Sequence, residues 1–386
     1  MSTISVFVFI DALGWELVQR RGGFLRERFG TSKRLESIFG YSSTCDPTIL
    51  TGLMPRDHGH FSFFAYDPPN SPFQGVSWMN LLPKQLRERG RVRRLISRLY
   101  QQKLGYTGYF QLYNMPFEKL SMFDYTEKRD LYEPGGIISG AKTIFDVLRG
   151  CSIPYYVSNW RRGEVENLAA LRQAVVSQRP RMVYLYWAEM DALLHAKGTQ
   201  HPDVETKLQW YEARLAELLD EFGKSYEEVR MFVFSDHGMT DVKECLALIP
   251  MVEKLGLRFG VDYAACYDST MARFWFLKAE AENKIRRLLA EIPQGRMLTG
   301  EDHRKFGTDF PTNRYGDLFF LLNPGVLLCP SFLGVVPLKG MHGYTPEDKD
   351  TDAAFMSTVA EADFLAPVPK RLDDLFALMQ AEAMGR

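Results

Sequence analysis

Three apolar runs rich in strand-forming residues, at 5–10, 181–187 and 231–234, each lead within a few residues to an aspartate. Uninterrupted apolar runs of this length are typical of strands that are buried on both faces of a parallel sheet. Ligands of open α/β sheets collect at the carboxyl ends of such strands. The runs therefore predict an α/β fold, with a mostly parallel central sheet and helices on both faces.

The polar side chains that follow these runs are of the types that bind zinc. In chain order they are Asp11, Asp191, His195, Asp236, His237 and the later His342. Asp191 and His195 are four residues apart, so a helical turn would place both on one face. Taken singly, such an aspartate is more often a helix cap, and a lone histidine is more often structural. The joint pattern of carboxylates and imidazoles instead favours a binuclear metal site.

The segment from Gly40 to Gly59 adds hydroxyl side chains ahead of a Thr-Gly pair. When this segment is added to the other motifs, the chain resembles the alkaline phosphatase superfamily, and more closely its type I phosphodiesterase and nucleotide pyrophosphatase branch. The matching stretches are Thr51-Gly52-x-x-Pro55-x-x-His58-Gly59, Asp191-x-x-x-His195, Ser235-Asp236-His237-Gly238-Met239 and His342-Gly343-Tyr344. Together with Asp11 they extend over residues 11–344, nearly the whole chain. The resemblance implies the alkaline phosphatase-like form of the predicted fold.

The resemblance also implies a nucleophile, Ser42, which lies nine residues before the threonine of the Thr-Gly pair. Ser43 is the alternative nucleophile and Thr44 a more distant one, whereas Cys45 falls out of register. The implied ligands of one metal are Asp191, His195 and His342, and those of the other are Asp11, Asp236, His237 and the Ser42 oxygen. Two divalent ions are expected, zinc in the first place, with manganese as the alternative. The implied chemistry passes through a covalent phosphoseryl intermediate.

Two residues differ from the pattern of this branch, so the resemblance does not fix the class of substrate. Phe63 stands where the branch often has an asparagine that holds a non-bridging phosphate oxygen, and the nucleophile is serine where the branch usually has threonine. We expect a metal-dependent phosphoric ester hydrolase, with phosphodiesterase or nucleotide pyrophosphatase activity favoured. A phosphomonoesterase and a phosphotransferase or mutase of the same superfamily are the alternatives. A non-catalytic binding protein on a degenerate hydrolase scaffold is the alternative from another class, and the complete ligand set argues against it.

Residues 66–135 and 256–330 are predicted insertions in a single catalytic domain of residues 1–386. The first is rich in aromatic and arginine side chains, and we interpret it as a cap that sets substrate choice. Its aromatic residues include Phe73, Trp78, Tyr100, Tyr106, Tyr109, Phe110, Tyr113, Phe117 and Phe123. Its arginines are Arg87, Arg89, Arg91, Arg93, Arg94 and Arg98. Binding of substrate by these arginines, a solvated basic helix and a peripheral contact with anionic lipid head groups are the alternatives.

The second insertion is expected to hold a strand over 269–277 and a helix over 279–292. Arg273 resembles a recurrent arginine of the branch, which would give it a role in substrate binding. A structural ion pair explains the same arginine equally well.

Composition sets limits on partners and location. A chain of 386 residues with 46% hydrophobic content can bury a large core, and a net charge of −1 argues against nucleic-acid polymers as partners. The five scattered cysteines predict neither disulfides nor a cysteine zinc site. The first apolar run lacks a preceding basic segment, and no run reaches the roughly eighteen apolar residues of a membrane span. We expect a cytoplasmic enzyme that acts on a small-molecule, glycan or lipid phosphate ester.

Overall fold

The structure is a computed structural model that describes residues 3–25, 28–76, 79, 83 and 89–385. The strands of these residues are β1 Thr3–Ile10, β2 Thr31–Leu35, β3 Phe64–Tyr66, β4 Phe123–Tyr125, β5 Tyr155–Val157, β6 Met182–Trp187, β7 Glu228–Phe234, β8 Thr240–Asp241, β9 Glu244–Leu246, β10 Tyr263–Tyr267, β11 Met271–Phe276, β12 Gly295–Met297, β13 Leu318–Leu322, β14 Val326–Leu328, β15 Gly340–Met341 and β16 Ala353–Ser357. Their helices are α1 Trp15–Arg21, α2 Ser42–Thr51, α3 Pro55–His58, α4 Gly90–Leu104, α5 Phe117–Leu120, α6 Ile144–Gly150, α7 Glu164–Gln178, α8 Glu189–Lys197, α9 Pro202–Phe222, α10 Leu248–Glu253, α11 Ala279–Ala290, α12 Gly300–Phe306 and α13 Asp374–Met384.

The three apolar runs of the sequence are three neighbouring strands of one sheet. That sheet has the order β2-β16-β7-β1-β6-β5. β1 pairs in parallel with β6 and with β7, and β5 pairs in parallel with β6, whereas β16 pairs antiparallel with both of its neighbours, β7 and β2. The predicted α/β fold with a mostly parallel sheet is thereby confirmed. Because β1 lies between β6 and β7, the residues that follow these three strands meet at one edge.

Helices cover both faces of the central sheet, as the apolar character of its strands requires. Successive side chains of a strand point to opposite faces. Val6 and Val8 of β1 pack on one side in a hydrophobic cluster with residues of α1, α7 and α9. Phe7 and Phe9 pack on the other side with residues of α2, α6 and α13. Every side chain from Ile4 to Ile10 is buried, which explains why β1 contains no charged residue.

The two predicted insertions share one hydrophobic core. Residues 256–330 contain a complete four-stranded antiparallel sheet of order β10-β11-β13-β12. Tyr66, at the start of the first insertion, stacks on Trp275 of β11 with ring centroids 5.2 Å apart. Within the same hydrophobic cluster, Phe73 and Tyr125 of the first insertion join Tyr267 of the second. The cluster explains the aromatic richness of residues 66–135 as packing in large part. The description of this segment as a cap stays a proposal.

The local predictions for the second insertion are confirmed with small shifts. The strand predicted over 269–277 is β11, and the helix predicted over 279–292 is α11, which ends at Ala290. The earlier end is explained by Pro293, because the residue before a proline is disfavoured in helical conformation. Among the described residues, no helix is long and apolar enough to cross a membrane.

Candidate active site

Three aspartates meet at the carboxyl edge of the central sheet. Asp11 directly follows β1, Asp236 lies two residues beyond the end of β7, and Asp191 lies in the first turn of α8, just after β6. The backbone N–H of Asp11 donates to the carbonyl of Trp187 at the end of β6, at 2.9 Å. The N–H of Ala12 donates to Oδ1 of Asp236 at 3.2 Å. These bonds tie the three strand ends to one another.

One group of ligand atoms surrounds Nε2 of His237. That nitrogen lies 3.1 Å from Asp236 Oδ2, 3.2 Å from Ser42 Oγ and 3.7 Å from Asp11 Oδ1. Asp236 and His237 are fully buried or nearly so, and Asp11 is also buried. The four side chains are the set that the family resemblance implies for the metal beside the nucleophile.

A second group of ligand atoms surrounds Oδ1 of Asp191. It lies 3.2 Å from His195 Nε2 and 3.6 Å from His342 Nε2. The spacing of Asp191 and His195 on α8 places both on one helix face, as predicted from the sequence. The His342 ring stacks on that of His237, with centroids 3.7 Å apart, so the two groups adjoin.

Two histidines are oriented as metal ligands commonly are. His195 Nδ1 donates to the carbonyl of Gly340 at 2.8 Å, and His237 Nδ1 donates to the carbonyl of Gly238 at 2.9 Å. A carbonyl oxygen only accepts hydrogen bonds, so the proton of each neutral ring must lie on Nδ1. Nε2 of each ring is therefore free to present its lone pair to a cation.

The buried carboxylates of the site repel one another, so a bound cation would stabilise them. Burial raises the pKa of Asp11, and the charges of Asp236 and Asp191 raise it further. Burial and the Asp236 charge likewise raise the pKa of Asp46, which lines the same cavity. Although burial opposes it, Asp236 raises the pKa of His237 to about 9. Among the described side chains, Oδ1 of Asp11, Oδ1 of Asp46, Oδ1 of Asp191 and Oδ2 of Asp236 accept no hydrogen bond. Such oxygens fit the binding of divalent cations.

The rival hydroxyls of the nucleophile segment have different surroundings. Ser42 is the first residue of α2, and its Oγ faces His237. Ser43 is buried and its Oγ donates to the carbonyl of Phe61 at 3.4 Å, while Thr44, fully buried, donates to the same carbonyl at 2.6 Å. Only Ser42 of the three brings its hydroxyl to a predicted metal ligand. The start of a helix is also favourable for a phosphate, because its first amides lack intrahelical partners.

Tyr41 connects the nucleophile helix to the loop of His342. Its hydroxyl lies 2.8 Å from Thr270 Oγ1 and accepts from the Thr270 N–H at 3.0 Å. Thr270 Oγ1 in turn donates to the carbonyl of Gly343 at 2.7 Å. Gly343 has φ +86°, and a Cβ there would lie 2.5 Å from the Tyr41 ring. A glycine beside His342 is therefore needed for the close contact between the two segments.

The predicted nucleophile and four of the six predicted Asp and His ligands line one cavity of about 480 Å³. From the metal groups, its lining includes Asp11, Ser42, Asp191, His195 and His342. From other parts of the chain, it includes Phe63, Tyr109, Tyr113, Glu127 and Trp160. Phe63 thus lies at the site, as its position in the sequence suggested, but it offers no polar atom to a phosphate.

Three residues of this site were not singled out from the sequence. Asp46 lies one helical turn beyond Ser42 on α2, and the four-residue spacing was a signal that could have revealed it. Tyr186 of β6 donates from its hydroxyl to Asp11 Oδ2 at 2.6 Å, a contact set by the pairing of β6 with β1. Glu127 comes from the first insertion, where no spacing distinguishes it from other acidic residues.

Arg273 forms a buried ion pair outside the cavity lining. It is fully buried, and its Nε donates to Asp268 Oδ2 at 2.7 Å. Its Nη2 donates to Ser62 Oγ at 2.8 Å and to the carbonyl of Phe64 at 3.1 Å. It does not line the cavity, so these contacts favour the structural ion pair, and the role of Arg273 in substrate binding stays a prediction.

The arginines of the first insertion do not reach the cavity either, as far as the structure describes them. Arg93 is buried and donates to the backbone carbonyls of Tyr113 and Met115. Arg91, Arg94 and Arg98 are exposed on α4. None of these residues lines the cavity, and their direct binding of substrate stays an alternative from the sequence. Trp78 and Arg87 lie outside the described residues.

Comparisons with known proteins agree with this architecture. The sequence model of the type I phosphodiesterase / nucleotide pyrophosphatase family matches residues 6–345. No curated protein matches the chain. The solved structure of human ectonucleotide pyrophosphatase / phosphodiesterase 5 matches with a TM-score of 0.68 and 14% identity, over 97% of this chain and 93% of that one.

The murine counterpart of that protein is similar to the same degree. Its structure matches with a TM-score of 0.68 and 15% identity, over 97% of this chain and 94% of that one. An inactive variant of the murine protein in complex with AMP matches with a TM-score of 0.70 and 14% identity, over 99% of this chain and 95% of that one. At such identities the structural likeness shows a common fold. The match of the family model to residues 6–345 shows that the chain is related to this family in sequence. The chain thus belongs to the type I phosphodiesterase / nucleotide pyrophosphatase family and is a phosphoric ester hydrolase.

Proposed function

We propose that this protein is a phosphodiesterase that depends on two divalent metal ions and attacks its substrate with Ser42. The observation that carries the proposal is the position of Ser42 Oγ, 3.2 Å from Nε2 of His237 and at the head of a helix. A hydroxyl so placed adjoins both a cation site and the amides that favour a phosphate.

The two groups of ligand atoms define the proposed metal sites. Asp191, His195 and His342 would hold one ion. Asp11, Asp236, His237 and the Ser42 hydroxyl would hold the other. When bound, the two ions supply Lewis-acid charge that lowers the pKa of a hydroxyl and stabilises the oxygen that leaves phosphorus. Imidazole and carboxylate together favour zinc, with manganese as the alternative.

The chain's own residues account for the rest of the reaction. Ser42 loses its proton to solvent and attacks phosphorus, forming a Ser42–phosphate ester as the bond to the departing alcohol breaks. The departing oxygen takes up a proton from water. Water then cleaves the Ser42 ester, which restores the hydroxyl and releases the phosphate product. Tyr186 holds Asp11 in place through its 2.6 Å hydrogen bond.

The lining of the cavity favours diesters over monoesters. Of the described residues that line it, none is lysine or arginine. A phosphomonoester carries up to two negative charges and a diester only one, so a cavity without fixed side-chain cations suits the diester better. Because the murine structure was solved with AMP, diesters that contain a nucleotide belong among the substrates to be tested.

The proposal is tested with serine variants and two nitrophenyl esters. The native protein should contain close to two metal ions per chain and should hydrolyse bis(4-nitrophenyl) phosphate faster than 4-nitrophenyl phosphate. Ser42→Ala should lower turnover by several powers of ten, because covalent catalysis is lost, and Ser43→Ala should stay within about threefold of the native rate. Full activity of the metal-free protein would contradict the metal dependence. An active Ser42→Ala beside an inactive Ser43→Ala would move the nucleophile to Ser43.

A further inference from the structure

The exposed side of α4 is a basic surface that the proposed reaction does not use. The helix contains four arginines, one lysine and no acidic residue, although the whole chain has a net charge of −1. Its exposed residues include Arg91, Arg94, Leu95, Arg98 and Leu99. These five residues are spaced i, i+3, i+4, i+7 and i+8, so they form one continuous side of the helix, which we call the α4 face.

The opposite side of α4 fixes the orientation of the helix. Its buried residues include Ile96 and Tyr100, which belong to the hydrophobic cluster shared by the two insertions. Ser97 Oγ accepts from the backbone N–H of Leu112 at 3.0 Å. Because these contacts hold the helix against the rest of the protein, the α4 face cannot turn inward to bury its leucines.

The two leucines of the α4 face are unusually exposed. Leu95 is 57% exposed and Leu99 is 56% exposed, and no other described leucine is more than half exposed. They lie one helical turn apart, so their side chains form a single apolar patch. A lone exposed leucine is ordinary, whereas an apolar patch rimmed by charged residues is a feature of surfaces that meet a partner or a membrane.

The arginines of the α4 face have no acidic partner among the described residues. The side chains of Arg91, Arg94 and Arg98 form no hydrogen bond or ion pair with any of those residues. On α11, by contrast, Lys284 and Arg286 are each paired with a glutamate one turn earlier. Three unpaired arginines on one face create a positive potential that a negatively charged partner would offset.

The α4 helix is also connected to the active-site cavity. Arg93 donates to the backbone carbonyl of Tyr113, whose ring lines the cavity. The N–H of the next residue, Asn114, donates to the carbonyl of Phe332 at 2.8 Å. Beyond Phe332, Val336 lines the cavity and is 72% exposed. A surface that held the α4 face would therefore keep the cavity close to that surface.

An anionic lipid bilayer complements both parts of the α4 face. Its phosphate and carboxylate groups would accept hydrogen bonds from the arginines, and the boundary of its acyl chains would take up the leucines. A nucleic acid or an acidic peptide would also neutralise the arginines, but it would leave Leu95 and Leu99 in water. Helices with leucines and basic residues arranged in this way lie in the plane of a membrane surface.

We propose that the α4 face binds the surface of an anionic phospholipid bilayer, with the helix axis in the plane of the interface. The arginines meet the lipid head groups, and the two leucines enter the boundary of the acyl chains. This contact holds the enzyme at a membrane. It needs neither the metal ions nor Ser42, so it is separate from the proposed hydrolase reaction.

The test measures how much of the full-length protein sediments with lipid vesicles. In about 0.1 M salt, vesicles of phosphatidylcholine with about 30% phosphatidylserine should bind the native protein at least about tenfold more tightly than vesicles of phosphatidylcholine alone. Raising the salt to about 0.5 M should remove most of that difference, because salt screens the attraction. Equal binding to the two kinds of vesicle in low salt would overturn the proposal.

Two double variants separate the charged part of the α4 face from its apolar part. Arg94→Gln with Arg98→Gln should weaken binding to the anionic vesicles by at least about tenfold. Leu95→Gln with Leu99→Gln should weaken it by at least about fivefold, because the apolar anchor is lost while every charge stays. An unchanged affinity of the leucine variant would contradict an interfacial helix, since charge alone would then account for the adsorption.

A matched control removes two positive charges from another helix. Lys284→Gln with Arg287→Gln changes two exposed cations of α11, which also carries two glutamates. This variant should bind the anionic vesicles within about twofold of the native protein, because the charges of α11 are nearly balanced. Equal losses in the arginine variant of α4 and in the α11 variant would refute the α4 face as the binding surface.

Other occupants of the α4 face would give different results. Binding of the native protein to single-stranded RNA or to polyglutamate, without binding to anionic vesicles, would assign the face to another polyanion and overturn the bilayer. Circular dichroism checks that each variant is folded, which is expected because every changed residue is exposed. Sedimentation is read without turnover, so vesicle binding by the α4 face is confirmed or refuted whatever the outcome for Ser42.

Discussion

At the scale of single residues, the site brings several buried carboxylates together with the imidazoles that partly offset their negative charge. Asp46 shows this most clearly, because it lies one turn beyond Ser42 and its Oδ1 accepts no hydrogen bond from any described side chain or backbone group. Among its electrostatic neighbours are Asp236, which raises the pKa of Asp46, and His237, which lowers it. Its place indicates a positioning role behind the metal ligands, since polar groups of this kind orient the ligands and tune their charge.

Asp46→Asn should therefore weaken metal binding by roughly 10- to 100-fold, with a comparable loss of activity at limiting metal. Metal affinity is measured by competition with a chelator of known affinity, and activity is measured again at saturating metal. Asp57→Asn, at an exposed aspartate of α3, serves as the control and should change neither quantity. An unchanged affinity in Asp46→Asn would show that the carboxylate does not support the metal ligands.

At the scale of elements, the last helix is fastened to the central sheet by a buried ion pair. Glu382 of α13 is 3% exposed and accepts from Arg230 Nε and Nη2 of β7, both at 2.7 Å. Its Oε2 also accepts from Ser5 Oγ of β1 at 3.0 Å. The pair thereby connects α13 to two central strands at once.

Glu382→Gln should lower the free energy of unfolding by about 3–5 kcal/mol, because it removes the charge of the buried partner of Arg230 and leaves only the ion pair with the exposed Glu228. Chemical denaturation followed by circular dichroism measures the loss. The matched change Glu361→Gln breaks an exposed pair with Lys33 and should cost less than about 1 kcal/mol. Similar losses in the two variants would mean that burial of the Arg230 pair contributes nothing beyond a surface contact.

At the scale of the whole molecule, the proposed metal sites lie where three strands of the sheet end and where the late His342 loop returns to them. Binding of cations there should stabilise the entire fold, because the ligands come from residues far apart in the chain. With free metal at 100 times its dissociation constant, one site adds about 2.7 kcal/mol to the free energy of unfolding. The relief of repulsion among the site carboxylates is part of that gain.

Removal of metal by a chelator should therefore lower the unfolding temperature, and added zinc should restore it. Differential scanning calorimetry measures both steps. Asp191→Asn should reduce the gain, since Asp191 is a proposed ligand of one ion and its carboxylate also lies within 4.8 Å of ligand atoms of Asp11 and His237 in the other group. An unfolding temperature that does not respond to chelator or zinc would count against metal binding at these residues. The cytoplasmic location stays a prediction, and a peripheral contact of residues 66–135 with anionic lipid head groups stays an alternative from the sequence, proposed above for the α4 face.

The sequence by itself determined the three central strands of the sheet, because strands buried on both faces must be largely apolar, and β1, β6 and the second half of β7 show this in their composition. It also predicted the residues of the two metal groups, since the local motifs carry the residue types and spacings that such ligands need. Asp191 and His195 could be assigned to one helix face for the same reason.

Only the tertiary structure decided the environment of each group. It separated Ser42 from Ser43 by their hydrogen-bond partners. It also placed Arg273 in a buried ion pair and in a hydrogen bond with Ser62, a residue more than 200 positions away in the chain. It also brought Glu127 into the cavity, although nothing in the neighbouring sequence marks that residue. Chemistry that depends on local spacing is therefore visible in this sequence, whereas burial and long-range pairing are fixed only when the chain packs.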